Sequence, residues 1–331
     1  MNLAARVMIT GATTPIGAAV IRRLLADQAT ERVLAVGREP ASAAARLLPA
    51  DPRLTYEAVD LRRPRQLRGL LFGTAKELGI TAVVHAALHR RAQDSGRAVH
   101  ELNVEATREL LHLAERHPTI RRLVYRSYAE VYRLVPDKPS IVDEEHPLEL
   151  DPRAPQWIRD RVEADLTVCA RMGLGRLQIV VLRCAECLAP DSGSQLHDYL
   201  ASRVCLRPLG FDPMLNLISI GDLAVAVALA LASDRQGVFN IPGRDTLPLS
   251  RVLARRGRLD VPLPEPLLGP LYRLRSRTIG ADFRYDLNTW RFHYSGVLDG
   301  TRARERLGYV PRHPIAWPRG PAAPVAGDDP A

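Results

Sequence analysis

The chain has 331 residues, 46% hydrophobic and 25% charged, an ordinary globular balance with length for one large domain or two modest ones. Its formal net charge of +9 rests almost wholly on arginine, since Lys76 and Lys138 are the only lysines. That charge suits an anionic partner, but an aromatic content of 5% and the lack of a recognised module argue against nucleic acid, and four cysteines argue against a disulfide scaffold.

The first apolar run, RVMIT, begins almost at once, so no signal peptide is expected. Strands are expected at Arg6–Thr10, Arg32–Val36, Leu54–Val59, Ala82–Ala86, Arg122–Tyr125 and Gln178–Arg183. Between them lie amphipathic stretches such as AAVIRRLLA, in which Val20, Ile21, Leu24 and Leu25 share a face. Short apolar strands separated by helices predict an α/β fold: a Rossmann-like, doubly wound parallel sheet with helices on both faces. After Pro190 prolines become frequent and loops lengthen, so residues 191–317 read as a smaller substrate lobe after a first domain of residues 1–190, with some segments free to return to the sheet. In that lobe a helix is expected at Leu223–Ala232, capped by Asp222, and a strand at GVFNI. The tail from Pro318 is rich in Pro, Ala and Gly and is expected to be disordered. The longest apolar run, Leu223 to Ala232, is far short of a membrane span, and a soluble cytoplasmic protein is expected.

Chemistry enters at TGATTPIG, Thr10 to Gly17. A phosphate loop needs backbone N–H groups at a helix N-terminus and small residues where the chain turns. Gly11 can take the turn, Gly17 lets the helix sit close to the sheet, and Pro15 suits a first helical turn. At the end of the second strand VGRE presents Gly37 and Arg38 where an acidic residue would bind the ribose of NAD; an arginine there favours a 2′-phosphate and hence NADP, with NAD left open.

These stretches together with VDLRRP, VVHAAL, LNVEATRELL, LVYRSYAEVY, IVVLRCAECLAP and LDGTRARERLGYVP resemble the extended short-chain dehydrogenase/reductases of the NAD-dependent epimerase/dehydratase family, over roughly residues 5 to 315, and look most like divergent UDP-glucose 4-epimerase-like members. The resemblance implies a dinucleotide across the carboxyl edge of the sheet. Gly11, Thr13, Thr14, Pro15, Ile16 and Gly17 would line the pyrophosphate, with Thr14 where a middle glycine usually lies. Asp60 and Leu61 would meet the adenine, Ala86 and Ala87 would flank the crevice with Asn103 nearby, and Ser127 would face the nicotinamide. It also leaves a homodimer open.

The family's Tyr-x-x-x-Lys pair, whose lysine lowers the tyrosine pKa, occurs nowhere in the chain. Trp157 and Arg161 occupy the matching positions in APQWIRDRVEAD. An indole N–H only donates, so Trp157 cannot act as a base; Arg161 keeps the charge and can still hold the ribose, but not a transferable proton. Tyr128 falls where the family's catalytic Ser or Thr sits, beside Ser127. Two readings of Tyr128 follow: a relocated acid/base partnered by Arg161, or a side chain filling vacated space, and the second is favoured. Glu186 replaces an asparagine that contacts sugar nucleotides in the family, and a carboxylate facing a diphosphate is repulsive unless an arginine intervenes. The reading is therefore an NADP-preferring oxidoreductase-like protein acting on an unknown small molecule, with a sugar nucleotide or another anionic substrate left open, without the usual Ser/Tyr/Lys triad, or a catalytically silent dinucleotide-binding sensor or scaffold.

Two further features read as structural, and a third is left open. Cys184 and Cys187 form a CxxC at a strand end, where three-residue spacing points side chains to opposite faces. His85 is read as a packed strand histidine, and His197, His293 and His313 lack metal-ligand spacing. In LLGPLYRLRSR, Leu267, Leu271 and Leu274 share one face and Arg273, Arg275 and Arg277 crowd the others, which leaves open an acidic membrane surface, an anionic ligand or solvent.

Overall fold

Apolar runs without alternation become strands here because both faces of the sheet are covered. The computed structural model describes residues 5–89, 91, 94–136, 140–279 and 283–317. Its main sheet contains β1 (Arg6–Thr10), β2 (Arg32–Gly37), β3 (Leu54–Ala58), β4 (Ala82–His85), β5 (Arg122–Tyr128), β6 (Gln178–Cys184) and β7 (Gly237–Ile241). Their spatial order is β7-β6-β5-β4-β1-β2-β3, and every neighbouring pair is parallel. The winding reverses between β1 and β4, which opens a crevice at the carboxyl ends of those strands.

Strand periodicity divides the core into two layers. Val7 and Ile9 of β1 face one layer, with Ile16, Val20 and Ile21 of helix α1 (Pro15–Leu25) and Leu223 and Val227 of helix α2 (Ile220–Ala232). Met8 faces the other, with Leu110 and Leu111 of the helix Ala106–Arg116.

Two details differ from expectation, and a third settles a placement left open. Strand β5 runs on past Tyr125, because Arg126, Ser127 and Tyr128 continue the ladder against Leu182, Arg183 and Cys184 of β6. GVFNI is one of the segments after residue 190 that return to the large sheet: β7 pairs with β6, and the helix before it, α2, packs beside α1. The cap of α2 is Ser219, whose Oγ accepts from the Asp222 N–H at 3.0 Å. Asp222 lies in the first turn, and its buried carboxylate accepts from the backbone N–H groups of Arg312 and His313 at 3.0 Å, pinning the C-terminal segment.

The small lobe holds the strands Glu186–Cys187, Met214–Ile218 and Asp245–Pro248 in one sheet and Val204–Pro208 beside Leu259–Leu263 in another. Its core is aromatic, built on Tyr199, Tyr272, Phe283, Tyr285 and Phe292. The helix Glu265–Ile279 accommodates Pro270; it turns Leu268 and Tyr272 inward and leaves Leu267, Leu271 and Leu274 exposed. The tail from Pro318 lies outside the described residues. No helix among the described residues is long and apolar enough to cross a membrane.

Candidate functional site

The β1–α1 turn depends on two glycines. Gly11 has φ +71°, and a Cβ there would lie 3.0 Å from Ala86 O and Ala87 N. A Cβ on Gly17 would lie 2.3 Å from Gly11 O. Thr14 closes the turn: its hydroxyl donates to Gly11 O at 2.8 Å and accepts from the Gly17 N–H at 3.0 Å, while Pro15 takes the first helical position.

His85 braces the opposite wall. The Thr107 hydroxyl donates to Asn103 O at 2.8 Å, so it accepts from His85 Nε2–H at 3.0 Å. His85 Nδ1 then accepts from the Thr10 hydroxyl at 2.7 Å, and Thr10 Oγ1 accepts from the Ala86 and Ala87 N–H groups at 3.2 and 3.3 Å. The network works only with a neutral imidazole, and complete burial lowers the His85 pKa from 6.5 to about 4. The unfolded chain therefore takes up the proton first. The stabilisation is complete above pH 6.5 and is lost as pH falls through 4. A loss on the order of 3 kcal/mol is expected over that window. Urea unfolding at several pH values would check it: the dependence should shrink in His85→Gln.

Between these walls lies a cleft of about 380 Å³. Of the residues expected at the cofactor, Gly11, Thr13, Thr14, Arg38, Asp60, Leu61 and Ala87 line it. Glu39, Arg62, Leu88 and Asp191 line it too and were missed from sequence. Glu39 accepts from the Thr13 hydroxyl at 2.5 Å and from the Arg38 N–H at 3.2 Å. Arg62 grips both oxygens of Asp60 at 3.0 and 2.7 Å, and that hydrogen-bonded guanidinium holds the Asp60 carboxyl below its usual range. The paired arginines of VDLRRP are the signal that pointed there.

The other expected residues lie back from the cleft. Gly17 and Pro15 form the start of α1, Ile16 belongs to the core, and Ala86 is buried. Asn103 accepts from the His89 N–H at 2.9 Å. Ser127 donates to Asp165 at 2.5 Å; Asp165 lies on the helix Gln156–Cys169 and also binds Arg183 at 2.7 Å.

Where the family's acid/base pair would stand, side chains stack in a buried column. The Arg126 and Arg161 guanidiniums both lie over the Tyr128 ring, 4.4 and 4.0 Å from its centroid, and Arg161 lies 4.7 Å from the centroid of the Trp157 ring. Tyr128 OH accepts from Arg126 at 2.7 Å, and burial raises its pKa, the opposite of what a phenolate base needs. Arg161 donates to Gly193 O at 2.8 Å and lies 3.2 Å from Glu130. Burial likewise pushes the Cys184 and Cys187 thiols up, to about 12 and about 11, away from redox reactivity.

A second cavity, of about 60 Å³, lies between the carboxyl ends of β5 and β6 and the small lobe. Glu130, Glu186, Tyr132, Trp290, Arg291 and Tyr294 are among its walls. Glu186 accepts from Ser194 Oγ at 2.7 Å and from the Leu196 N–H at 2.9 Å, and it pairs with Arg291. Arg291 is the arginine that the Glu186 position calls for, and it keeps that carboxyl below its usual range against the opposing effect of burial.

The sheet order, the glycine turn and the cleft at its switch point define a Rossmann-type protein of the nucleotide-binding kind. The chain belongs to the NAD dependent epimerase/dehydratase family, whose model matches residues 7–241. An uncharacterized protein of Mycobacterium tuberculosis is 30% identical over 315 residues, covering 92% of this chain and 80% of the relative. The 3-diazoavenalumate denitrifying reductase of a Streptomyces species is 27% identical over 328 residues, covering 94% of this chain and 97% of that one. Among solved structures, the dTDP-glucose 4,6-dehydratase DesIV of Streptomyces venezuelae, with NAD and TYD bound, superposes with a TM-score of 0.69 at 22% identity over 94% of this chain and 93% of the other. That likeness establishes the fold.

Proposed function

We propose that this chain is an NADP(H)-dependent reductase whose acceptor needs no proton from the family's tyrosine position. The carrying observation is the buried column Arg126–Tyr128–Arg161–Trp157, which fills the acid/base site with groups unsuited to proton transfer. The bound dinucleotide would supply hydride. Reduction of a carbonyl creates an oxyanion that must be protonated. Replacement of an aryldiazonium group does not: hydride with its electron pair would form the C–H bond, the C–N bond would break with its pair staying on nitrogen, and neutral dinitrogen would leave with no oxyanion behind. The 27% identical relative, named for denitrifying reduction of a diazo compound, supports an acceptor of that kind.

The residues fit a dinucleotide. Gly11 and Gly17 allow the close turn, and Gly11, Thr13 and Thr14, just before α1, line the cleft where a diphosphate would lie. Exposed Arg38 lines the far end and supports the choice of NADP. Arg38→Ala is expected to weaken NADPH binding about tenfold, roughly 1.4 kcal/mol, and to leave NADH within about twofold. Calorimetric titration with both cofactors checks this.

Turnover is tested with NADPH and a stabilised aryldiazonium salt, following cofactor oxidation and gas release against a protein-free control. Oxidation coupled to dinitrogen release is expected, with none on simple ketones. Tight NADPH binding without oxidation of any acceptor would overturn the reductase and leave the silent sensor or scaffold.

A further inference from the structure

The lobe cavity has the wrong charge and size for a nucleotide diphosphate. Its lining carries three carboxylates, Glu130, Glu149 and Glu186, against one guanidinium, Arg291. Arg291 is already committed: it pairs with Glu186 and lies 3.6 Å from Glu130. A diphosphate entering here would meet carboxylates and no uncommitted lining cation. The volume of about 60 Å³ is well below the ~150 Å³ that houses one benzene ring in a protein core. Even a single ring therefore needs some displacement at the mouth, where Trp290 and Met214 are 46% and 36% exposed.

The walls specify what does fit. Tyr132, Trp290 and Tyr294 supply ring faces, and Trp290 stacks near Tyr294 with their planes 25° apart. The Glu130 side chain is 5% exposed and pairs with Arg161 at 3.2 Å, with Arg291 at 3.6 Å. With three lining carboxylates to one lining guanidinium, the cavity favours a ligand that brings a donor or a positive charge. We infer that the cavity receives one small aromatic ring carrying an N–H or O–H donor or a positive group, and excludes nucleotide sugars. The inference rests on the reductase reading for its place beside the hydride site, but its test needs no turnover.

Benzylamine, benzoate and UDP-glucose serve as probes, with binding read by calorimetry and by tryptophan emission without cofactor. Benzylamine is expected to bind in the millimolar range, at least tenfold tighter than benzoate. UDP-glucose is expected neither to bind nor to displace it. Trp290→Phe should remove the emission change while preserving the calorimetric signal. Glu130→Gln should lower benzylamine affinity about tenfold. Should that variant fail to fold by thermal melting, Glu149→Gln, at a half-buried position, should reduce the preference for benzylamine over benzoate. Equal binding of the two ring probes, no binding of either at 10 mM or below (about 2.7 kcal/mol), or tighter binding of UDP-glucose overturns the inference. Benzylamine binding in a protein that oxidises no NADPH leaves the pocket assignment standing and removes the reductase.

Discussion

Gly17→Ala is expected to destabilise the protein by about 3 kcal/mol and to weaken NADPH binding roughly a hundredfold. The added methyl would lie 2.3 Å from Gly11 O and 2.8 Å from Ala12 Cα, both backbone atoms that cannot rotate aside. Relief requires α1 to move off the sheet. Its inner residues Ile16, Val20 and Ile21 are packed against Val7 and Ile9, so displacement opens the core. It also carries the helix N-terminus away from the cleft, and anion binding there depends on N–H groups held in place. Gly69→Ala in the helix Pro64–Leu70 is the matched control, since a methyl there meets nothing within 4 Å. It should stabilise the fold by about 0.5–1 kcal/mol and leave binding alone. Urea unfolding and calorimetric titration of both variants separate packing from phosphate recognition; a Gly17→Ala protein as stable as the parent would mean that the helix does not seat on this turn.

The fold was legible because its signals are local. A strand buried on both faces reads as an unbroken apolar run, so the expected bounds of β1, β2, β4 and β6 lie within about a residue of the observed ones, as do those of the half-buried edge strand β3, LTYEA. The place of β7 was less so. Gly237–Ile241 is short, and what assigns it to the large sheet is pairing with Gln178–Cys184, far away in sequence. Side-chain direction followed the same division. Alternation along β5 puts Arg126 and Tyr128 on one face and Ser127 on the other, a pattern available once the strand is known to reach Tyr128. The glycine turn and the lack of a Tyr-x-x-x-Lys pair needed only spacing. Arg291 had no such signal: it meets Glu186 across 105 positions of chain, from a helix of the small lobe. Glu39 was adjacent to an expected residue and was passed over because Arg38 explained the end of β2 by itself.

Asp165→Leu is expected to cost about 3–5 kcal/mol, the penalty for leaving a buried charge without its partner. Asp165 has no exposed surface and accepts from Arg183 at 3.1 and 2.7 Å and from Ser127 at 2.5 Å. Arg183 donates in addition to Tyr132 OH and Glu144 O, but neither carries the opposite charge that balances the guanidinium. Removing the charge on both sides should be milder than removing one: Asp165→Leu with Arg183→Met is expected to recover at least about 1 kcal/mol of the single-variant loss. Urea denaturation of the two single variants and the double variant closes the cycle. A milder change at the same aspartate decides the role of Ser127. Its hydroxyl is turned toward the Gln156–Cys169 helix, away from Tyr128 and the cleft, so Asp165→Asn should leave NADPH affinity within about twofold once its lower stability is allowed for. A large loss of affinity in a folded Asp165→Asn protein would instead place Ser127 against the nicotinamide, and would return an alcohol-type donor to the site from which the column Arg126–Tyr128–Arg161–Trp157 now excludes one.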